Sequence, residues 1–149
     1  MDKQGQQDVI YELVCNIDDM TGEDLGYTME ILMQKGALDV FYQAIQMKKN
    51  RPGVMLHCLC KTEELEYFAK LILTYTTSRG VRYQKYYRFK LDVEMEEIET
   101  EYGIVHNKKS SGFGIEKEKL EFDDLKYLAQ KTGLSLMQVR KKVENQNQG

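Results

Sequence analysis

The order of apolar segments over residues 9–92 is the feature that most restricts how this chain can fold. Residues 9–17 (VIYELVCNI) alternate in the manner of a strand that buries one face. A segment with helical spacing follows, then two strand-like runs, a second helical segment and a fourth strand-like run. The predicted strands are 9–17, 37–48, 54–60 and 81–92, and the predicted helices lie between Thr21 and Gly36 and at 63–75. This βαββαβ order predicts a ferredoxin-like domain, in which helices cover a four-stranded antiparallel sheet.

Local signals predict where the two helices and the central turn lie. Thr21 precedes the first helix and Asp24 follows three residues later, as in a capping box, while Gly36 is expected to end the helix. Thr62 is expected to cap the second helix, and the segment NRPG (50–53) predicts the turn between the middle strands. The expected apolar stripes are Leu25, Met29, Leu32 and Met33 in the first helix, and Leu65, Phe68, Ala69 and Ile72 in the second.

The remainder of the chain predicts a small second α+β unit. An alternating acidic segment is expected to form a hairpin that turns near residues 101–103. Gly133 should end one helix and Ser135 should cap the next, before a polar tail that begins at residue 144. The predicted elements are hairpin strands within 93–110, a strand at 112–121, and helices at 122–133 and 135–143. The predicted domains are therefore a ferredoxin-like domain at 8–90 and an α+β subdomain at 91–145.

Composition excludes several classes of protein. The 149 residues are 42% hydrophobic and 30% charged, with a formal net charge of -3, so the basic excess of most nucleic-acid-binding domains is absent. No apolar run reaches the ~18–20 residues of a membrane span. The N-terminal residues lack the apolar segment of a signal peptide, which predicts a cytoplasmic protein that does not enter a membrane. An odd count of three cysteines argues against a disulfide framework.

The ferredoxin-like topology predicts that three loops meet at one edge of the sheet. A right-handed crossover makes the first and second strands parallel, with the third strand antiparallel between them. The second helix then returns to the edge where the first two strands end. The connections at this edge are 16–22, 48–53 and 75–82. Their polar side chains are Asp18 and Asp19 in the first, Lys48, Lys49 and Arg51 in the second, and Thr76, Thr77, Ser78, Arg79 and Arg82 in the third.

Two carboxylates opposite a basic and hydroxyl-rich set are the chemistry of a metal-bound polyphosphate. Hard divalent cations take carboxylate oxygens, and Lys and Arg neutralise phosphate oxygens. The positive N-terminus of the first helix also points at this edge. A nucleoside triphosphate carrying a divalent cation fits this combination. The alternative is that opposite charges on a polar loop edge simply pair with one another. Neither a P-loop nor an EF-hand is present, since Ile17 would stand at the first ligand position of the calcium loop.

The other candidate groups favour structural roles. Cys58 and Cys60 would share a buried strand face, as free cysteines commonly do, and His57 would point the opposite way. His106 is expected at the surface. The segment RYQKYYRFK (82–90) interleaves aromatic and basic residues, but RNA-recognition domains of this topology expose aromatics on the two central strands, and the third strand here has none. Nucleic acid is therefore not expected as a partner, and no catalytic residue is assigned.

Five segments of the chain together resemble a known family. They are NIDDMTGE (16–23), GALDVF (36–41), MKKNRPG (47–53), TTSRGVR (76–82) and ETEYG (99–103), of which the first and third are the most specific. From about residue 8 onward, the chain resembles the C-terminal half of the LarC-type nickel insertion proteins. The resemblance implies part of a CTP-dependent nickel chelatase, a lyase or cyclometallase that makes the nickel-pincer nucleotide cofactor.

The resemblance also implies ligands and partners. CTP with Mn²⁺ or Mg²⁺ would bind this half, whereas nickel, the inserted metal, would be handled by an N-terminal half and is not expected to bind this chain tightly. The other expected partners are the pincer nucleotide precursor and further copies of the chain in a homo-oligomer. The resemblance shows that these motifs recur, and charge and topology predict the roles within them: cation binding by Asp18 and Asp19, and nucleotide binding by Lys48, Lys49, Arg51, Thr76, Thr77 and Arg82. The alternative function is a non-catalytic regulatory or oligomerisation module that binds another nucleotide or anion.

The chain also departs from the pattern of this family. Tyr75 and Arg79 stand where relatives usually carry a Glu and an aliphatic residue, and Asp92, Val93 and Glu94 replace a Pro-Arg-Glu segment. The lost arginine weakens any phosphate-binding role for the second unit.

Overall fold

A computed structural model describes residues 5–147 of the chain, and this part folds as two units. We call Gln7–Arg88 the N-terminal unit, and residues 89–147 together with Gly5 and Gln6 the C-terminal unit. The domain bounds of 8–90 and 91–145 stay predictions. Within residues 5–147, no helix combines the length and apolar character that crossing a membrane requires.

The N-terminal unit has the expected βαββαβ order. Its elements are β1 (Gln6–Ile17), α1 (Gly22–Gln34), β2 (Asp39–Met47), β3 (Arg51–Lys61), α2 (Leu65–Tyr75) and β4 (Arg82–Lys90). The strand order across the sheet is β2-β3-β1-β4, and β3 is antiparallel to both of its neighbours. The prediction of a ferredoxin-like domain followed by a small α+β unit is therefore confirmed.

The core of this unit lies between one face of the sheet and the two helices. Alternate residues of β1 and β3 enter it, as the period of two in a strand requires. Each large apolar side chain that is fully buried stabilises the fold by about 1.5–3 kcal/mol. The buried members are Leu13, Cys15 and Ile17 of β1, Leu32 of α1, Ala37, Val40 of β2, Leu56, Cys58 and Cys60 of β3, and Phe68 and Ile72 of α2.

Thr28, rather than Met33, completes the buried stripe of α1. Met33 was expected in this stripe, but 45% of it is exposed, whereas Thr28 is only 1% exposed. The Thr28 hydroxyl lies 2.9 Å from the carbonyl of Asp24 one turn earlier and 2.9 Å from the carbonyl of Tyr75 at the end of α2, and its single proton is shared between these two acceptors. A carbonyl at a helix end needs a donor, so a polar residue completes a stripe that periodicity predicted to be apolar throughout.

Two local predictions about loops and caps are wrong. The turn between β2 and β3 is formed by residues 48–50, not 50–53, because Met47 pairs with Arg51 and closes the hairpin earlier. Pro52 then lies inside β3, where β1 pairs only as far as Val54, so its missing N–H is tolerated. Thr62 does not cap α2; its hydroxyl donates to the carbonyl of Val9 at 3.3 Å, and a single 3₁₀ turn over Thr62–Glu64 precedes the helix.

The C-terminal unit is a three-stranded antiparallel sheet with two helices. Its elements are β5 (Asp92–Thr100), β6 (Gly103–Gly112), β7 (Ile115–Leu120), α3 (Phe122–Thr132) and α4 (Leu136–Asn147), with the strands in the order β5-β6-β7. Its core consists of Ile98, Val105, Leu125, Leu128, Val139 and Val143. Gly133 ends α3 with φ at +71°, and Ser135 and Gln138 cap α4 reciprocally. The tail predicted from residue 144 is helical to 147, and its last two residues lie outside the described part.

His106 joins β6 to the first turn of α3. Asp124 Oδ2 accepts hydrogen bonds from both the backbone N–H and the Nδ1 of His106, each at 2.8 Å. Glu97 Oε1 lies 3.6 Å from the other ring nitrogen. The hydrogen bond to Asp124, aided by the charges of Asp124 and Glu97, raises the pKa of His106 above its ordinary value of 6.5. Protonation of this histidine therefore strengthens the link between β6 and α3.

We expect Thr28→Val to lower the free energy of unfolding by about 1–3 kcal/mol, because the carbonyls of Asp24 and Tyr75 lose the hydroxyl proton that they share while the volume is kept. Thr74→Val is the matched control. Thr74 makes the same hydroxyl contact to the carbonyl four residues earlier, at 2.8 Å, but it is exposed. Urea unfolding measures both variants. Equal losses in the two would contradict a special role for the Thr28 contact with α2.

We expect the stability of the C-terminal unit to fall as pH rises from below 6.5 through the raised pKa of His106. The sign follows because a group whose pKa is raised by folding stabilises while it is protonated, and this contribution is lost on deprotonation. His106→Gln should remove this component of the pH dependence, and so should Asp124→Asn. Urea unfolding at a series of pH values, followed through NMR signals of α3, measures it. An unchanged slope in His106→Gln would refute the link.

Candidate functional site

The end of β1 contacts both neighbouring loops at one edge of the N-terminal sheet. Arg51, just after the β2–β3 turn, places Nη1 3.4 Å from Asp18 Oδ2. Thr77, in the loop after α2, donates its hydroxyl to Asp19 Oδ1. Arg82, the first residue of β4, donates from Nη2 to Asn16 Oδ1 at 3.0 Å. The structure thus brings together side chains from all three connections of this edge.

Gly53 allows β1 to approach the hairpin at this point. A Cβ atom at position 53 would lie 2.6 Å from the carbonyl oxygen of Ile17 and 2.7 Å from the sulfur of Met47. The first contact is with backbone, which cannot move aside as a flexible side chain can. A side chain here would therefore push the end of β1, and Asp18 with it, away from Arg51. The glycine of the RPG segment has a steric role in assembling the site.

The β2–β3 turn presents two lysines on a strained backbone. Lys49 and Asn50 adopt φ values of +61° and +57°, the pattern of a type I′ hairpin turn. Asparagine tolerates this region well, and its Oδ1 accepts a hydrogen bond from Gln46 Nε2 at 3.0 Å. Lysine does not tolerate it, since its Cβ crowds the backbone. Lys48 and Lys49 are exposed beside Arg51, so the turn carries positive charge where the Asp18 contact is made.

Thr76 differs from the other predicted site residues because its hydroxyl is already engaged. The hydroxyl donates to the carbonyl of Ile72 at 2.7 Å and accepts the backbone N–H of Ser78 at 3.2 Å. A hydroxyl has a single proton to donate, so Thr76 has none left for a phosphate oxygen. Its visible role is to end α2 and to shape the loop that carries Thr77.

Asn16 and Ser78 belong to this edge, although sequence reasoning did not select them. Asn16 holds Arg82, and Ser78 lies beside the thiol of Cys15, whose pKa is raised by burial against the opposing effects of Ser78 and of the Arg82 charge. Asn16 could have been found from its position, since it lies two residues before Asp18 and points to the same face as Val14. Ser78 has no comparable signal.

The two carboxylates at this edge can bind a divalent cation only together with oxygen ligands from another molecule. In residues 5–147 no three His, Cys, Asp or Glu side chains come together as a metal cage. Asp18 and Asp19 are two carboxylates, and Mg²⁺ is commonly held by one or two carboxylates together with phosphate oxygens and water. Glu23 and Asp24 in the first turn of α1 add two further carboxylates, so Lys48, Lys49, Arg51 and Arg82 balance the negative charge of this edge. That balance suits an anion that brings its own cation.

The cysteines and His57 do not form a site. Burial raises the pKa of Cys58 to about 12 and of Cys60 to about 11, so both thiols stay protonated at neutral pH. His57 lies on the opposite face of the sheet, stacked on Phe41 with ring centroids 4.4 Å apart, and its Nδ1 is 2.7 Å from Glu12 Oε1. The structural interpretation of the HCLC segment is confirmed.

Two cavities lie in the C-terminal unit. One, of about 850 Å³, lies on the three-stranded sheet around Lys109 and Ser111. The other, of about 650 Å³, lies between β7 and the two helices. Neither includes a residue of the N-terminal edge, which is a candidate site because of its polar contacts.

Comparison with known proteins points to one family. A family model described as nickel insertion protein matches residues 1–140. A pyridinium-3,5-bisthiocarboxylic acid mononucleotide nickel insertion protein of Acetivibrio thermocellus is 43% identical over 138 residues, which are 93% of this chain and 34% of that protein. The chain spans between 30% and 43% of the length of the eight curated relatives compared, of which the shares of 43% and 30% are the extremes.

Two solved structures share the fold. One is the apo form of LarC2, described as the C-terminal domain of a cyclometallase involved in the synthesis of the NPN cofactor of lactate racemase. It has a TM-score of 0.88 and 36% identity, over 97% of this chain and 100% of that one. The other is a protein of Methanopyrus kandleri AV19, with a TM-score of 0.68 and 27% identity, over 89% of this chain and 85% of that one.

The strained turn gives a test that needs no ligand. We expect Lys49→Gly to raise the free energy of unfolding by about 1 kcal/mol, because glycine adopts positive φ without steric cost. Lys48→Gly removes the same charge at the neighbouring position, which does not have positive φ, and should lower stability by about 0.5–1 kcal/mol. Urea unfolding compares the two. A loss of stability in Lys49→Gly would mean that the turn is not strained.

Proposed function

Because the chain belongs to the nickel insertion protein family, we propose that its N-terminal unit binds CTP together with Mn²⁺ or Mg²⁺. In this proposal the chain is the nucleotide-binding part of a CTP-dependent nickel chelatase, a cyclometallase of nickel-pincer nucleotide cofactor biosynthesis. The observation that carries the proposal is the pair of contacts from Asp18 to Arg51 and from Asp19 to Thr77. These contacts assemble carboxylate, guanidinium and hydroxyl groups from three loops at a single edge.

The charges at this edge suit a triphosphate that carries a divalent cation. Asp18 and Asp19 supply hard oxygen ligands, directly or through water. Lys48 and Lys49 project from a turn whose backbone is held rigid between paired strands, and Arg51 can bind phosphate oxygens in a bidentate manner. The cation provides charge neutralisation for the phosphates when it is bound.

Arg51 has a different partner in each state of this site. Without ligand it neutralises Asp18, which is only 19% exposed at its side chain. With ligand bound, Asp18 holds the cation and Arg51 is released to a phosphate oxygen. Asn16 keeps Arg82 in place for the same purpose, and Thr77 Oγ1 exchanges its bond with Asp19 for one with the ligand. Thr76 serves the site by shaping the loop, since its own hydroxyl is engaged.

Nickel is the cargo of this chemistry, and we propose that it is handled by a separate N-terminal nickel-binding half of the same protein system. The pincer nucleotide precursor would be the substrate of that assembled system. The chain would work there as part of a homo-oligomer in the cytoplasm. No residue of this chain is proposed to be catalytic.

The test is calorimetric titration of the chain with CTP and with ATP, each with and without Mn²⁺. We expect CTP to bind more tightly than ATP, and Mn²⁺ to strengthen binding. Lys48→Ala should weaken binding about tenfold with and without metal, because it removes a charge-assisted phosphate contact. Asp18→Asn should weaken binding only when Mn²⁺ is present, because without metal the carboxylate repels phosphate.

Lys61→Ala is the matched control, since Lys61 is an exposed lysine at the opposite end of β3. It should bind CTP as the unaltered chain does. Absence of detectable binding at millimolar CTP with Mn²⁺ would refute the proposal. Equal affinities for ATP and CTP would mean that the site binds nucleoside triphosphates without selecting the base. Stable oligomers that do not respond to any nucleotide would favour the alternative function, a regulatory or oligomerisation module. The observation that supports this alternative is the exposure of Tyr83 and Tyr87 on β4, an edge strand that could pair with another copy of the chain.

A further inference from the structure

The three-stranded sheet of the C-terminal unit has both helices of that unit on one face. Ile98 and Val105 point into the core with α3 and α4, so the residues that alternate with them point away from both helices. We call these positions the outer face. They are residues 93, 95, 97 and 99 of β5, residues 104, 106, 108 and 110 of β6, and residues 115, 117 and 119 of β7.

The outer face exposes four large apolar side chains. Val93, Met95, Ile104 and Ile115 are each between 47% and 53% exposed. Large apolar side chains that are exposed together on one face mark interaction sites in soluble proteins. Three of the four lie on the neighbouring strands β5 and β6, so the apolar part of the outer face follows these two strands.

The β7 side of the outer face is basic. Lys108 of β6 stands directly opposite Lys119 of β7, and Lys117 lies two residues before Lys119 on the same face. Like charges at directly opposed positions destabilise a sheet. All three lysines are exposed, and none has an ion-pair partner within residues 5–147. The basic group is therefore unfavourable for the unit by itself.

The same strands pair opposite charges on their inner face. Lys109 stands opposite Glu94 of β5 and Glu118 of β7, and its Nζ lies 2.7 Å from Glu96 Oε2. The repulsion between lysines is thus confined to the outer face. Carboxylates of another molecule would relieve it, because complementary charges meet at protein interfaces.

The composition of the outer face favours a protein over other anionic partners. Its positions hold no Phe, Tyr or Trp, the residues on which the bases of single-stranded nucleic acids stack. Glu97 and Glu99 lie on the same face, and they would repel the continuous negative charge of a nucleic acid or of an anionic membrane. A protein segment can instead place carboxylates over the lysines and aliphatic side chains over Val93 and Met95.

An amphipathic helix matches the spacing of these groups. Helices commonly cover the face of a sheet, with their apolar stripe against it. Lys117 and Lys119 are two residues apart in a strand, about 6–7 Å, and acidic residues one turn apart on a helix are separated by about 5–6 Å. A helix along β5 and β6 therefore brings two carboxylates of one flank to these two lysines.

We propose that the outer face binds an amphipathic helix of a partner protein. The aliphatic stripe of the helix packs on Val93, Met95 and Ile104, and acidic residues along one flank pair with the three lysines. The surface belongs wholly to the C-terminal unit, and the proposal does not depend on the triphosphate site. It gives the C-terminal unit a docking role of its own.

The test is NMR titration of the ¹⁵N-labelled full chain with three synthetic helical peptides of about 18 residues. The acidic peptide has leucines at a spacing of three and four and glutamates along one flank. The basic peptide has lysines in place of the glutamates, and the third peptide has the acidic composition in scrambled order. We expect only the acidic peptide to shift the amide signals of the outer face, with an affinity that falls as salt is added. Signals of Asp18, Lys48 and Thr77 report separately on the N-terminal edge.

Single variants test the two kinds of contact. Lys108→Gln and Met95→Ser should each weaken the acidic peptide about fivefold, since the first removes an exposed ion pair and the second an apolar contact. The matched controls are Lys126→Gln on α3 and Met137→Ser on α4, both exposed on the helices. The controls should bind as the unaltered chain does.

The stability of Lys108→Gln separates docking from a structural role. This variant should raise the urea midpoint of the C-terminal unit while it weakens the peptide, because it removes the repulsion from Lys119. A lower midpoint would show that Lys108 supports the fold and would count against the proposal.

Reversal of charge gives the most direct result. The double variant Lys117→Glu/Lys119→Glu should bind the basic peptide and lose the acidic one. The proposal is overturned if the acidic peptide shifts no outer-face signal at millimolar concentration, or if the basic or scrambled peptide binds the unaltered chain equally well. It is also overturned if Lys126→Gln loses as much affinity as Lys108→Gln, or if the double variant keeps its preference for the acidic peptide.

Discussion

The position of β3 between β1 and β2 decides where the polar groups of the N-terminal unit can act. Because β3 is antiparallel to both neighbours, β1 and β2 run in the same direction and end at one edge. The chain must then return through α2 to that edge before β4 can pair beside β1. Asp18, the 48–50 turn and Thr77 are neighbours for this reason. The ion pair between Asp18 and Arg51 follows from the topology and does not create it.

Magnitudes support this order of cause and effect. An ion pair with one exposed partner, such as Arg51 with Asp18, stabilises a fold by at most about 1 kcal/mol. Each fully buried side chain of the core, such as Leu13, Leu56 or Phe68, contributes about 1.5–3 kcal/mol. The core therefore holds the edge in place, and the polar side chains there are free to change partners. The same core sustains the unfavourable backbone of Lys49, because the paired strands on both sides of the turn leave it no alternative.

The C-terminal unit follows a different arrangement. Its core is small, and two short helices cover only part of a three-stranded sheet. A small unit buries a smaller share of its surface than a large one, so polar groups come to line its cavities. Asn107 shows the consequence, since it occupies a buried position among carboxylates and its Oδ1 has no partner within residues 5–147. His106 and Asp124, in contrast, form a complete polar link that ties α3 to the sheet.

Periodicity and chain order were sufficient to predict the architecture, because the burial of alternate residues in strands and of helical stripes depends on local spacing. The sequence determined the βαββαβ order, the stripe of α2, the end of α3 at Gly133 and the cap at Ser135, all of which rest on contacts within a few residues. The same topology led from the sequence to the loops that carry Asp18, Arg51 and Thr77.

Only the tertiary structure decided the details that depend on distant partners. Thr28 is buried because its hydroxyl contacts the carbonyl of Tyr75 at the end of α2. Thr62 donates to the carbonyl of Val9 in β1 and does not cap α2. The turn lies at residues 48–50 because the strand register pairs Met47 with Arg51. The same reason applies to three hydrogen-bonding groups: the hydroxyl of Thr76 is bonded to Ile72, Asn16 binds Arg82, and Asn107 Oδ1 has no partner within residues 5–147. A hydrogen bond requires a partner in space, and spacing along the chain does not specify one.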